Sequence, residues 1–226
     1  MLVKTKGIVI RFLRYRETSL IVRIYTEALG LRSYIVNGVR STKSGSSIAL
    51  YQPLALLELT VYEKPGANLQ RISDARLAYA YRHLPFSIVK TTIALFLAEI
   101  LHKTLKEEKE DAALFTFLFD SLKTLDRIDT GEDLFHLVFM VRLAALLGFG
   151  ADSAEAFAEQ LQAVRFPFQL QEHLTAYKRL LQLPYGASDE LVTAHRSLLI
   201  DALTTFFALH AENFGTVNAL EVLRNL

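Results

Sequence analysis

The sequence predicts an α+β protein of two domains: a small five-stranded antiparallel barrel over residues 1–82, then an all-α domain over residues 83–226. Three observations predict it. Five short β-rich runs punctuated by turn residues precede residue 82, apolar residues recur at helical spacing from Pro85 onward, and the net charge changes sign at the same place. Half of the 226 residues are apolar, enough to bury a core in one large or two small domains.

Val3 to Tyr15 mixes Ile8, Val9, Ile10, Phe12 and Leu13 with bases and shows no helical stripe, which predicts a first strand. Thr18–Thr26 and Leu31–Val39 supply two more β-branched runs, separated by the turn at Ala28-Leu29-Gly30. The polar, basic tract from Arg40 to Ser47 reads as a loop. A fourth strand is expected over Leu54–Tyr62, a turn at Pro65-Gly66, and a fifth strand from about Leu69 to Tyr79. Five short strands within this span, with no full-length helix among them, suit a barrel of the OB type.

Pro85 suits a first helical turn, and Ile88, Ile93, Phe96, Ile100 and Leu105 carry a helix to about Lys106. Further helices are expected over Glu110–Leu125, then Thr130–Leu147 with Thr130 capping the Asp133 amide and Gly148 ending it. Another starts at Asp152 with Glu155 completing the signature. Val164–Phe168 reads as extended. Helices resume over Gln171–Leu183 and Ser188–Glu212, and a short one closes the chain around Asn218–Leu226.

The overall net charge of +1 conceals a strong asymmetry. Up to Arg82 there are 13 bases against five acids, a net +8, and the remainder carries −7. That distribution predicts a polyanion-binding module joined to a part that does not bind polyanions with its whole surface. The absence of cysteine excludes disulfides, thiolate zinc sites and cysteine nucleophiles. The N-terminus lacks the apolar core of a signal peptide, and Lys90, Glu99, His136 and Arg142 interrupt the most apolar helices, so a soluble protein is expected.

Motifs for catalysis are missing. Lys43-Ser44 lacks the glycines and the following helix of a phosphate-binding loop, Gly148 and Gly150 follow a helix rather than a strand, and no serine stands in a nucleophile elbow. The six histidines lie singly, without the close spacing of a zinc-binding helix. The acids at Glu107-Glu108-Glu110-Asp111 and Asp129-Glu132-Asp133 fall at expected helix starts, where negative charge meets the helix dipole favourably. No catalytic residue, metal or cofactor is therefore expected. What remains is a barrel rich in arginine and tyrosine, residues that pair with phosphate and stack on bases. Phe12, Tyr15, Tyr25, Tyr34 and Tyr51 alternate with Arg11, Arg14, Arg16, Arg23, Arg32, Arg40 and Lys43, though several of the aromatics are needed to fill the barrel. The polyanion is DNA or RNA on this pattern. The broad apolar faces at Leu114–Phe119 and Leu134–Phe139 read as the core of a bundle, with a groove for a hydrophobic peptide end as the alternative.

The ordered series Thr5-Lys6-Gly7-Ile8-Val9-Ile10, Tyr15-Arg16-Glu17-Thr18-Ser19-Leu20-Ile21-Val22, Tyr25-Thr26 with Gly30, Gly38-Val39-Arg40-Ser41-Thr42-Lys43-Ser44 and Leu50-Tyr51-Gln52-Pro53 resembles the bacterial RecO family. So does Arg142-Leu143-Ala144-Ala145-Leu146-Leu147-Gly148-Phe149, similar to that family's helix ending in Leu-Gly-Tyr or Leu-Gly-Phe. The resemblance implies a cytoplasmic, nucleoid-associated recombination mediator without enzymatic activity. Such a mediator binds single- and double-stranded DNA, anneals strands coated with single-strand-binding protein, and works with RecR to load RecA. Its implied partners are RecR and the acidic tail of the single-strand-binding protein, with RecF and RecA as further candidates. Two departures stand out: the four zinc-holding cysteines of many members are absent, making this a zinc-less variant of the helical domain, and Asn37 and Ser41-Thr42 thin the basic loop. The expected DNA-contacting residues are Arg14, Arg16, Arg23, Arg32, Arg40 and Lys43. The alternative expectation is an adaptor whose barrel binds structured RNA while its helices hold protein partners.

Overall fold

The β-rich runs become five strands, β1 (Leu2–Tyr15), β2 (Ser19–Thr26), β3 (Gly30–Val36), β4 (Leu56–Tyr62) and β5 (Gln70–Tyr79). They close into a barrel in the order β1-β2-β3-β5-β4, as expected of an OB-type fold. This is a computed structural model, and it describes residues 1–37, 48–64, 66–106 and 109–224. Four seams of the barrel are antiparallel ladders, but β3 and β5 pair parallel through Tyr34↔Gln70 and Ile35↔Arg71 alone. That short parallel seam was not visible in the alternation, because period-two patterning does not encode strand direction.

Val9, Leu20, Val22, Ile24, Tyr34, Tyr51, Leu57, Leu59 and Val61 fill the barrel. Gly7 is required by close packing: a Cβ there would stand 2.7 Å from Ile24 Cγ2 and 2.8 Å from Leu59 Cδ1. β1 is unusual in that Ile8, Val9 and Ile10 are all buried. Ile8 pairs with Tyr25 on one side and Leu56 on the other, so the three form a row on the outside of the barrel, opposite in parity to Val9, and all three are fully buried. Tyr25 of this row stacks on Phe115 with ring centroids 6.2 Å apart, Phe115 stacks on Phe119, and the Lys6 ammonium lies 5.6 Å from the Phe119 ring.

Beyond the barrel lie α1 (Ile88–Thr104), α2 (Ala112–Arg127), α3 (Phe135–Leu146), α4 (Ala154–Ala163), α5 (Gln171–Gln182), α6 (Glu190–Ala194), α7 (Arg196–His210) and α8 (Ala219–Arg224). Two compact units emerge, Met1–Arg82 with Ile100–Lys123, and His83–Glu99 with Thr124–Leu226, so the barrel shares its unit with the end of α1 and most of α2. Asp111 caps α2, its Oδ1 accepting from the Leu114 amide at 2.9 Å, as its place in an acidic helix start predicts.

In the second unit a buried polar knot holds the entry to the helices. The His83 and Leu84 amides both donate to Asp126 Oδ1 at 2.8 Å. Lys90, 4% exposed, donates through Nζ to the carbonyls of Asp126 and Ile128 at 3.0 and 2.6 Å and lies 3.8 Å from Glu132. The lysine thereby satisfies carbonyls that the end of α2 leaves without helical partners. After Ala151, Phe157 is the centre of an aromatic cluster, stacked on Tyr177 at 4.0 Å and meeting Phe168 and Phe206.

Three helix starts differ from the sequence expectation. Thr130 does not cap Asp133; its hydroxyl donates to the Gly186 carbonyl, and a 3-10 turn over Glu132–Leu134 precedes α3. α4 is capped by Ser153, which accepts from the Ala156 amide, rather than by Asp152. The single helix expected over Ser188–Glu212 is two, α6 capped by Asp189 and α7 beginning after His195, whose Nδ1 lies 3.0 Å from the Leu191 carbonyl oxygen. Where an extended run is expected, Val164 and Arg165 form a turn, with Arg165 at φ 58°, and residues 166–168 follow without regular structure, Phe168 being buried.

Two measurements test this packing. Phe115→Ala should lower the free energy of unfolding by about 3 kcal/mol or more in a denaturant titration, because it uncovers Tyr25 as well as leaving a cavity. His136, wholly buried with no hydrogen-bond partner for Nδ1 among the described residues, has its pKa pulled from 6.5 down to about 3 by burial and by the Arg196 charge. Between those values the unfolded chain takes up a proton that the folded chain refuses. Stability from this residue is therefore complete above about pH 6.5 and is lost progressively as pH drops below that toward 3. Melts of the His136→Phe variant across that range should show the flatter dependence.

Candidate nucleic-acid interface

The β1–β2 hairpin carries most of the arginines that the sequence singles out. β2 pairs with β1 through Arg11↔Arg23, Phe12↔Val22, Leu13↔Ile21, Arg14↔Leu20 and Tyr15↔Ser19, after a bulge between Val9 and Arg11. The bulge inverts the alternation. Val9 faces the core, yet two positions later Arg11 faces outward and Phe12 packs on the core. Arg14 shares the core parity of Leu20 but lies at the strand's end, exposed. Arg16 occupies the hairpin turn at φ 53°, with its guanidinium 5.2 Å from the Tyr15 ring. Arg23 lies in mid-strand between Arg11 on β1 and Ser33 on β3.

Arg32 is placed differently. It is opposite Ile24, its Nη1 donates to the Leu31 carbonyl at 3.2 Å, and its Nε is 4.0 Å from Glu63. A recess of about 290 Å³ lies here, lined by Arg23, Arg32, Ser33, Glu63 and Gln70, with the Gln70 amide spent on the Lys64 and Ala67 carbonyls. Arg40 and Lys43 lie outside the described residues. Of the expected set, the structure brings Arg14, Arg16 and Arg23 onto one hairpin and directs Arg32 to an acid.

The barrel's other outer face is electrically mixed. Lys6 pairs across to Glu58 and Glu58 to Arg76, whose Nε donates to Glu58 at 2.7 Å, while Lys4 pairs across to Thr60 and Thr60 to Asp74. Charges of both signs there cancel in the far field. The hairpin contrasts: among the described residues, Arg11, Arg14, Arg16 and Arg23 form no ion pair with a carboxylate.

The aromatic residues divide as packing requires. Tyr25, Tyr34 and Tyr51 are buried, and burial together with a nearby carboxylate, Glu63 for Tyr34 and Asp74 for Tyr51, pushes the hydroxyls of the latter two up to about 12. Phe12 and Tyr15 are both partly exposed, but Phe12 packs against the barrel core, whereas Tyr15 lies on the outward face of the hairpin. Sequence reasoning did not single out Arg11 as a contact residue, nor His102, whose Nε2 is 2.8 Å from Arg11 Nη1. The first depends on the bulge and the second on a separation of 91 residues, and neither leaves a local signal.

Comparison with known proteins adds the family. Residues 1–81 match the model for the recombination protein O N terminal and residues 85–162 that for the recombination protein O C terminal. The chain belongs to the RecO family. Relatives named DNA repair protein RecO extend the match over the whole RecO chain: those of Flavobacterium psychrophilum and Phocaeicola vulgatus are each 34% identical, and that of Flavobacterium johnsoniae 33%, covering 100% of this chain and 99% of theirs. The boundary between the two matched RecO regions falls where the last strand gives way to Pro85 and α1.

Arg16 offers a test of function against stability. A left-handed backbone is disfavoured for arginine and free of cost for glycine. Arg16→Gly should therefore leave the melting temperature unchanged or raise stability by less than about 1 kcal/mol in a thermal melt, while removing a cation from the hairpin tip.

Proposed function

We propose that this chain is a DNA-repair and recombination mediator that works by binding rather than by catalysis. Membership of the RecO family supports the biological setting. The observation that carries the reading is the hairpin of arginines that, among the described residues, pair with no carboxylate, on a barrel whose remaining outer charges are mixed. Arg14, Arg16 and Arg23 are its phosphate-contacting residues, joined on sequence grounds by Arg40 and Lys43 in the basic loop, while Arg32 contributes less because Glu63 holds it.

Annealing two complementary strands requires neutralising two phosphate backbones while leaving base edges free to pair. A basic face indifferent to sequence does this without a catalytic residue, since phosphate contacts position a strand and base edges stay exposed. We assign nucleic-acid binding to residues 1–82, on both single- and double-stranded DNA, and protein contacts to residues 83–226. RecR, the tail of the single-strand-binding protein, and RecF and RecA are the partners in that scheme. Among the described residues no helix is long and apolar enough to cross a membrane. Family membership supports the cytoplasm, beside the nucleoid, as the place of action in this scheme.

The deciding experiment is annealing of complementary DNA strands coated with single-strand-binding protein, with and without this chain. Faster annealing that weakens steeply as salt rises is the expected result. Preferential retention of tRNA or rRNA over single-stranded DNA in a competition titration, with no annealing, would overturn the mediator reading in favour of an RNA-binding adaptor.

A further inference from the structure

Arg11 and Arg23 are direct cross-strand partners on one outward face of the β1–β2 hairpin. Opposed residues in an antiparallel pair hold their Cβ atoms roughly 4.5–5.5 Å apart, and like charges in that position destabilise the sheet. Soluble barrels ordinarily relieve such a pair with a carboxylate, as Glu58 does for Arg76 on the opposite side of this barrel. Here the relief takes another form: Arg11 Nη1 donates to Nε2 of His102, near the end of α1 and inside the same compact unit. A ring nitrogen that accepts a hydrogen bond belongs to a neutral imidazole, so it orients the guanidinium without cancelling its charge. Among the described residues neither arginine of this pair meets a carboxylate, and two cations held together in that way are arranged for an external anion.

The surface beyond that pair gives the anion's identity. Moving along the same face toward the hairpin tip, the next positions are Leu13, opposite Ile21, and then Tyr15, with the Arg16 guanidinium over its ring. Leu13 is 49% exposed, an apolar side chain in the middle of a basic strip. A duplex offers a protein its backbone and the edges of its bases, with the base faces already stacked inside. A single strand offers unstacked faces, which favour apolar and aromatic platforms. Free phosphate would use the arginines but has no face to lay on the platform.

We infer that the outward face of the β1–β2 hairpin is a single-strand track, in which Arg11 and Arg23 clasp one backbone phosphate, Leu13 and Tyr15 support neighbouring bases, and His102 positions Arg11. The inference rests on the mediator reading and goes further, in giving the track its residues and its preference for unpaired strands.

The test is fluorescence anisotropy with a labelled oligo-dT, which cannot pair with itself, beside a labelled duplex, over a range of salt. Arg11→Gln combined with Arg23→Gln should weaken oligo-dT binding on the order of tenfold. It should also flatten the plot of log affinity against log salt by about 0.7, the value for one lost phosphate contact on a single strand. Its melting temperature at low salt should hold or rise, since the repulsion is gone; Arg23→Gln alone serves as the second variant should the pair fold poorly. Leu13→Ser should weaken oligo-dT and spare the duplex. His102→Gln, which keeps an acceptor, should bind like the unaltered chain, whereas His102→Glu, which adds a carboxylate beside Arg11, should bind as weakly as the arginine variant.

Oligo-dT binding by the unaltered chain that the arginine substitutions leave intact, in affinity and in salt slope, overturns the track and leaves the mediator reading standing. Equal losses for duplex and oligo-dT in Leu13→Ser overturn the single-strand preference. No binding of either nucleic acid by the unaltered chain overturns the mediator reading itself.

Discussion

β1 has to be covered on both faces. A strand in the wall of a free-standing barrel buries alternate residues and wets the rest, but Ile8, Val9 and Ile10 are consecutive and all buried. Val9 belongs to the barrel interior, while Ile8, with Tyr25 and Leu56, forms an apolar row on the outside that water cannot be allowed to reach. The stacking of Phe115 on Tyr25 is part of that cover, and it explains why the compact unit containing the barrel also takes in Ile100–Lys123. The same packing brings His102 beside Arg11, so that the demand of an apolar row for shelter also delivers a polar group to the charged stretch of the strand.

Much of this fold was legible, and what was legible followed from period and punctuation. The five strand runs fell within a few residues of their observed bounds because turn residues at Gly30 and the Pro65-Gly66 pair separate them. The onset of helix after Pro85 followed from the change of period alone. Local signals failed where a distant group took the residue for another purpose. Thr130 has the chemistry of a cap, but the Gly186 carbonyl lies within reach of its hydroxyl and takes it. The stretch from Ser188 to Glu212 reads as one helix because its apolar residues keep helical spacing, and nothing in that spacing marks the break at His195.

For the candidate interface the decisive hidden feature is the bulge. Strict alternation from Val9 would turn Arg11 into the barrel and Phe12 out to solvent; one extra residue exchanges them. Composition announced that the first part of the chain was basic, but it did not say which bases are spoken for. Arg76 is held by Glu58 and Arg32 is drawn to Glu63, so the excess survives along the hairpin from Arg11 to Arg23, where the single acid, Glu17, forms no ion pair with these arginines among the described residues. The net +8 is in this sense a sum over two populations, one spent in holding the barrel's surface together and one left over. The tyrosines divide in the same way, Tyr25, Tyr34 and Tyr51 going to the interior and Tyr15 remaining at the rim.

The parallel seam between β3 and β5 has a consequence for how the barrel breathes. Every other junction is a ladder of at least seven residue pairs, whereas this one is two pairs long. Fewer paired residues hold this seam than any other, and parting Tyr34 from Gln70 and Ile35 from Arg71 severs no other junction. The cylinder thus has its shortest seam there, and opened along it the strands would form one ribbon running β3-β2-β1-β4-β5, with the hairpin of arginines near the middle.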